Sequence, residues 1–295
     1  MTSVADMNAA QAAANTFMDF IDPGAIDAVV FDIGGVFAIR HPEPIRAGLG
    51  RAGFVLPDDP ARYHEAHHYG VSALSAGLGT AAAVEGDVTF WMPFERAYFT
   101  HLGVAEDDLD SAISAMATEV YAKSEQPVWS GLLPHNITAF HRIANAGIPV
   151  AIVSNNDGTA EEQMRIWGVC QVGDGPFPSV AIVVDSARVG IAKPDPAIFT
   201  PALEALGTEA GRTLYVGDTV HADVHGAQAA GMPVVQLDPY NLHASFDHAR
   251  LPDVAALADL LLTAQALPED IVRLGERRSE TAERSLDGAN ARFSR

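Results

Sequence analysis

The strongest constraint on this chain is a set of short apolar runs, most of them ending in polar residues. Asp27-Ala-Val-Val-Phe31, Ile148-Pro-Val-Ala-Ile-Val153, Val180-Ala-Ile-Val-Val184, Thr213-Leu-Tyr-Val216 and Val234-Val-Gln-Leu237 are continuous rather than alternating. A continuous apolar run of this length predicts a strand buried on both faces, as in a parallel sheet. Helical segments separate the last four runs. Pro134 to Ala146 carries Ile137, Phe140 and Ile143 and stops at Gly147. Thr159-Ala-Glu-Glu162 has the spacing of a capping box. Asp195-Pro196 supplies an N-cap and a first turn, and Pro201 implies an irregular start or a second start at Thr200. Ala222 to Ala230 is rich in small residues and ends at Gly231. Strand alternating with helix predicts an α/β fold with right-handed crossovers.

Residues 41–127 break the alternation. Leu109, Ile113, Met116 and Val120 recur at helical spacing, and Phe90, Trp91, Phe94, Tyr98 and Phe99 crowd into ten residues. The helical spacing of that aromatic group predicts a core of the block rather than a substrate platform. The block is expected to be a helical insertion. The predicted organisation is an Ala-rich arm (1–25), a parallel-sheet core (26–40 and 128–265), the insertion (41–127) and a mixed-charge tail (266–295). Residues 268–295 carry six acids and six arginines, so the formal charge of −20 falls on the rest of the chain.

That charge argues against a nucleic acid or an anionic membrane surface as partner. No run approaches the roughly 18 apolar residues of a membrane span. The first Lys or Arg is Arg40, so neither a secretory signal nor a transit peptide is expected, and the chain reads as cytoplasmic. Cys170 is the single cysteine, which excludes an intrachain disulfide and a cysteine zinc site. Lys123 and Lys193 are the two lysines against sixteen arginines. Oligomeric state is not legible.

Chemistry-bearing residues follow four of the runs. Asp32 follows the first, Ser154-Asn155-Asn156-Asp157 the second, Lys193 the third, and Gly217-Asp218-Thr219 the fourth, with Asp223 five residues beyond Asp218. Ligands of open α/β sheets bind at the carboxyl ends of strands, so these sets are expected to converge on one crevice. In this order they resemble the motifs of the haloacid dehalogenase-like hydrolase superfamily, matched by AVVFDIGGV, AIVSNND, GIAKPDPAIF and LYVGDTVHADVHGAQAAGM. The resemblance spans residues 26–237, with the middle block corresponding to the family's helical cap. It implies a Rossmann-like core and, for most members of this type, a Mg²⁺-dependent phosphatase acting on a small phosphorylated substrate.

On that resemblance Asp32 is the nucleophile, giving an aspartyl phosphate. Asp32, Asp218 and the Gly34 carbonyl hold Mg²⁺, and Asp223 supports the metal through water or through hydrogen bonds behind its ligands, with a helix cap as its alternative role. Ser154 and the Asn155 N–H bind phosphate oxygens, and Lys193 offsets the charge of Asp32 and phosphate. Asn156 and Asp157 read as turn residues, and Thr219 as a ligand-orienting group or a turn cap. The family's second Asp, the acid of most such phosphatases, is replaced here by Gly34. His41, or His64, His67 or His68 in the insertion, is the candidate replacement acid. Two other enzymes stay open, a haloacid dehalogenase and a phosphonate hydrolase using Lys123. A catalytically weak protein that binds a phosphorylated ligand or a partner is the reading from another class. The intact Gly217-Asp218 pair argues against the dehalogenase.

Overall fold

The computed structural model describes residues 16–77 and 90–266. Strand β1 (Ala28–Phe31) leads to β2 (Ala38–Ile39) and then to helices α1 (Pro42–Arg51), α2 (Pro60–Gly77), α3 (Met92–His101) and α4 (Leu109–Ala115). Helix α4 runs into a π-helical turn, Met116–Tyr121. The chain returns through β3 (Gly131–Leu132), antiparallel to β2. It continues as α5 (Pro134–Asn145), β4 (Val150–Ser154), α6 (Ala160–Ile166), β5 (Gln171–Val172), β6 (Ser179–Val180), β7 (Val183–Asp185), α7 (Ser186–Val189) and α8 (Thr200–Leu206). The last elements are β8 (Thr213–Gly217), α9 (Gly226–Ala229), β9 (Val234–Leu237), β10 (Ala249–Leu251) and α10 (Val254–Ala266).

Six strands form one parallel sheet in the order β10-β9-β8-β1-β4-β7. Every residue of β1, β4, β8 and β9 is buried, as continuous apolar runs require of strands covered on both faces. Successive side chains feed opposite layers. Val29, Phe31, Ile152 and Val216 pack with Phe140 and Ile143 of α5 and Leu257 and Leu261 of α10. Val30, Val153 and Tyr215 pack with Ile198, Phe199, Val224 and Ala227 on the other side. The fold is thus α/β and Rossmann-like.

The helices between β2 and β3 build their own core from Leu49, Tyr63, Phe94, Tyr98, Phe99, Leu109, Met116 and Val120. Phe17 and Ile21 of the N-terminal segment are buried against the sheet layer, so this part of the expected arm is packed. Residues 1–15 and the tail from 267 lie outside the described residues.

Three local expectations change. The run 180–184 is two strands: Val180 pairs with Val172 in a small separate sheet, and Val183–Asp185 pairs in parallel register with β4. A continuous apolar run carries no register, so the bend at Ala181-Ile182 leaves no mark in it. Thr159 occupies the N-cap of α6 but makes no capping bond; its hydroxyl donates to Asp157 Oδ1 at 2.5 Å. Asp185 instead accepts from Gly158 N and Ala160 N. The segment after Thr219 is π-helical over Val220–His225 before α9. Asp195 caps as expected, accepting from Ala197 N at 3.0 Å, and a new helix starts at Thr200.

Candidate active site

The carboxyl ends of β1, β4 and β8 point to one place. Asp32, Ser154, Asn155, Lys193 and Asp218 line a single cavity of about 540 Å³ that reaches up between the sheet and the helical insertion. Parallel strands bring these residues together because β1 lies between β4 and β8 in the sheet.

Lys193 is the centre of the arrangement. Its side chain is 2 % exposed, and its Nζ lies 2.9 Å from Asp32 Oδ1 and 2.7 Å from Asp223 Oδ1. It also donates to Tyr215 Oη at 2.9 Å. Burial alone destabilises an ammonium; the two carboxylates more than reverse that, and the Lys193 pKa is raised. Asn155 fixes the loop that carries it. Its Nδ2 donates to Lys193 O at 3.0 Å and its Oδ1 accepts from Lys193 N at 2.8 Å.

Asp223 is fully used by the protein. Oδ2 accepts from Asp218 N, Thr219 N and Thr219 Oγ1 at 3.1, 2.8 and 2.7 Å. Oδ1 faces Lys193 and accepts from Tyr215 Oη. Burial pushes its pKa up, but Lys193 and the Thr219 donors bring it below the ordinary value. Asp223 is therefore a clamp on the Asp218-Thr219 loop rather than a simple helix cap, and Thr219 serves to orient it.

Asp32 and Asp218 behave differently. Burial raises Asp32 to about 7 despite Lys193, and raises Asp218 to about 8 with help from the charge of Asp223. Oxygens of Asp32, Asp218 and Asp223 lie within 4.8 Å of one another. Asp32 Oδ1 is buried, and although close to Lys193 it receives no aligned hydrogen bond. A crowded set of hard oxygen donors with an under-satisfied oxygen suits a small divalent cation such as Mg²⁺. Gly34 also lines the cavity. Gly35 has φ +64, and a Cβ there would meet Asp218 Oδ2 at 1.9 Å, so only glycine permits this approach.

Two participants hold roles that the sequence pattern did not give them. Tyr215 sits inside an apolar strand, where its hydroxyl, the one polar group of the run after Thr213, was the available signal. His67, from α2, reaches down so that its Nε2 lies 2.9 Å from Asp218 Oδ2. Burial and the nearby Arg40 lower its pKa to about 3, so the ring is neutral. The hydrogen bond between the neutral His67 ring and the Asp218 carboxyl holds Asp218 in place. His41 caps α1 by accepting from Glu43 N, and His64 Nδ1 bonds Tyr240 Oη at 2.8 Å. His68 is buried against His64, His67 and Tyr240 and does not line the cavity. Lys123 pairs with Glu119 and is likewise outside the cavity lining. Asn156 and Asp157 shape the turn before α6, with Asp157 Oδ1 accepting from Thr159 N. The aromatic group of the insertion splits: Phe90, Phe94, Tyr98 and Phe99 are buried in its core, while Trp91 is 37 % exposed and lines the cavity with Phe94.

The chain is similar to known proteins. The family described as haloacid dehalogenase-like hydrolase matches residues 26–231. A phosphoglycolate phosphatase of Rhodospirillum rubrum is 28 % identical over 253 residues, covering 84 % of this chain and 89 % of its own. A ribulose-1,5-bisphosphate 5-phosphatase of Halopiger xanaduensis is 24 % identical over 258 residues, covering 84 % and 96 %. The HAD-hydrolase YfnB of Bacillus subtilis, solved bound to magnesium, superposes with a TM-score of 0.51 at 16 % identity, covering 80 % of this chain and 98 % of its own. With the family match spanning most of the chain and the four motif residues gathered at one sheet edge, this protein belongs to the haloacid dehalogenase-like hydrolases.

Proposed function

We propose that the protein is a Mg²⁺-dependent phosphoric monoester hydrolase that works through an aspartyl phosphate on Asp32. The observation that carries this reading is the Lys193 ammonium held between Asp32 and Asp223 beside Asp218, in the cavity between the sheet and the helical insertion. The phosphatase names of the relatives support it. Asp32, Asp218 and the Gly34 carbonyl would hold Mg²⁺, and Asp223 acts behind them through the loop it clamps. The ion, when bound, supplies positive charge that lets two anions meet.

The remaining work falls to the chain. Lys193 neutralises Asp32 and one phosphate oxygen. Ser154 Oγ and the Asn155 N–H orient the phosphate for in-line attack by the free Asp32 oxygen. Water then hydrolyses the acyl phosphate. Residues 26–40 and 128–265 form the catalytic core in this reading, and 41–127 form a cap that excludes bulk water. Gly34 leaves the departing oxygen without a carboxylic acid. The dehalogenase alternative is disfavoured by the Asp218–Asp223 pair, which a metal-free reaction does not need, and the phosphonate alternative by the engagement of Lys123 with Glu119. The test is hydrolysis of 4-nitrophenyl phosphate with Mg²⁺, with chelator, and by Asp32→Asn. Turnover that persists in chelator or in the variant overturns the reading.

A further inference from the structure

The cavity combines one phosphate-binding cation with an unusual amount of aromatic surface. Trp91, Trp129 and Trp167, all three tryptophans of the chain, line it together with Phe94 and Tyr121. Trp91 and Trp129 are 37 % and 36 % exposed. Exposed large aromatic faces gathered in a concave site mark a binding surface rather than scattered surface residues.

Charge defines what cannot bind there. Among the described residues, Lys193 is the one Lys or Arg lining the cavity, whereas Asp32, Asp157 and Asp218 all line it. Arg40 packs behind the aromatic wall, its guanidinium 4.8 Å from the Phe94 ring and 5.3 Å from that of Trp129. Both of its terminal nitrogens are bound by Glu95, at 2.8 and 2.5 Å, and it does not line the cavity. The stretch 78–89, outside the described residues, contains no Lys, Arg or His in its sequence. Lys193 is engaged by Asp32 and Asp223 and has charge for the transferred phosphate only. Among the described residues, a second anionic group would meet no further Lys or Arg in the lining and would lie beside carboxylates.

Resting on the phosphatase reading, we propose that the substrate is a phosphomonoester whose leaving group is uncharged and carries an aromatic or similarly flat apolar portion stacked on Trp91 and Trp129. Substrates with a second anion, such as phosphoglycolate or a sugar bisphosphate, are excluded by the same wall. The cavity holds room for such a group beyond the phosphate, and stacking on indole faces rewards it. The specificity therefore departs from that named for the two relatives above.

The test compares benzyl phosphate, ethyl phosphate and phosphoglycolate, all esters of alkyl alcohols. Benzyl phosphate is expected to exceed phosphoglycolate at least about tenfold in kcat/KM. Trp129→Ala, with Trp91→Ala as a second variant should the first fold poorly, is expected to raise KM for benzyl phosphate more than KM for ethyl phosphate. Binding is read separately from chemistry by quenching of the three tryptophans in the Asp32→Asn protein with Mg²⁺ present. Preferential quenching by benzyl phosphate with no hydrolysis of any ester would uphold the specificity and sink the phosphatase reading. Hydrolysis and binding of phosphoglycolate at least as good as of benzyl phosphate, or an equal KM rise for both alkyl esters in the tryptophan variants, overturns the proposed substrate class. Neither binding nor hydrolysis of any ester overturns both.

Discussion

Replacing Lys193 by Met tests the electrostatic account of the site without requiring a substrate. Met keeps the length and most of the volume of the side chain but removes the charge. In the native chain the ammonium lies 2.9 Å from Asp32 and 2.7 Å from Asp223, and it is 2 % exposed. Removing one partner of a buried ion pair costs about 3–5 kcal/mol, because the remaining charges are left unpaired. Here two carboxylates lose their cation, with Asp218 close by. For a domain of 150–250 residues each kcal/mol moves Tm by about 2–4 °C, so the metal-free variant should melt about 6–20 °C lower. The loss should depend on pH in a definite direction. Without Lys193 the Asp32 and Asp223 pKa values rise, since its charge now lowers both. A carboxylate raised above its unfolded value of 3.8 adds stability below that value. That stability is lost as pH rises through the folded pKa. The variant should therefore be closest to wild type near pH 5.5 and furthest from it near pH 8.5. Thermal unfolding followed by circular dichroism in chelator at both values gives the answer. A Tm loss under about 2 °C at pH 8.5, or a loss that grows toward acid, would refute the view that Lys193 holds these carboxylates together.

Asp32→Asn should abolish hydrolysis while leaving Tm in chelator unchanged or higher, because it deletes a buried acid whose charged form burial disfavours; residual turnover with Mg²⁺ above one part in a thousand would contradict the nucleophile assignment. Mg²⁺ affinity should rise with pH through 7–8, where Asp32 and Asp218 shed their protons, and level off above it; calorimetric titration showing no change between pH 6 and 8.5 would contradict the protonated acid pair. Metal-free wild type should lose Tm over the same window by the sign given above, and Mg²⁺ should restore it. Gly34→Asp should fold normally, because a Cβ at that place meets only Asp32 Oδ2, at 4.0 Å. If the new carboxyl supplies the absent acid, alkyl phosphate turnover should rise by up to the roughly 10²-fold that general acid catalysis gives at its lower end. An unchanged ratio of alkyl to aryl turnover in this variant would mean that proton donation to the leaving oxygen is not limiting.

The residues that meet at the sheet edge were legible because parallel-strand topology turns sequence order into spatial order. Asp32, Ser154, Lys193 and Asp218 follow buried runs, and the cavity lining contains all four. Asp223 is saturated with hydrogen bonds, yet no spacing rule in the sequence separates such a residue from a helix cap. Long-range partners were not legible. His67 and Asp218 are 151 residues apart, and no local pattern in α2 marks one of its three clustered histidines as the one that reaches the core. Asp185 gave no sign that it would replace Thr159 as the cap of α6, because the competing acceptor arrives from a neighbouring strand. Trp129 and Trp167 lie outside the aromatic group that the sequence singles out, and only tertiary packing brings them to Trp91.

Arg40 has a mechanical consequence. It stands immediately after β2, where the chain leaves the sheet layer, and Trp129 stands just before β3, where it returns. Glu95 and Phe94 come from α3 between them. One buried guanidinium thus rivets both crossing points to the helices above. Any swing of those helices must either break this cluster or turn about a pivot on the sheet side of Arg40. In the second case Trp129 travels with the moving part, and so does Trp91. Such an opening would carry off Trp91, Phe94 and Trp129 together and leave Trp167 and the phosphate half behind on the sheet. A ligand that touches both halves would then act as the latch, since its own two ends bridge the parts that separate.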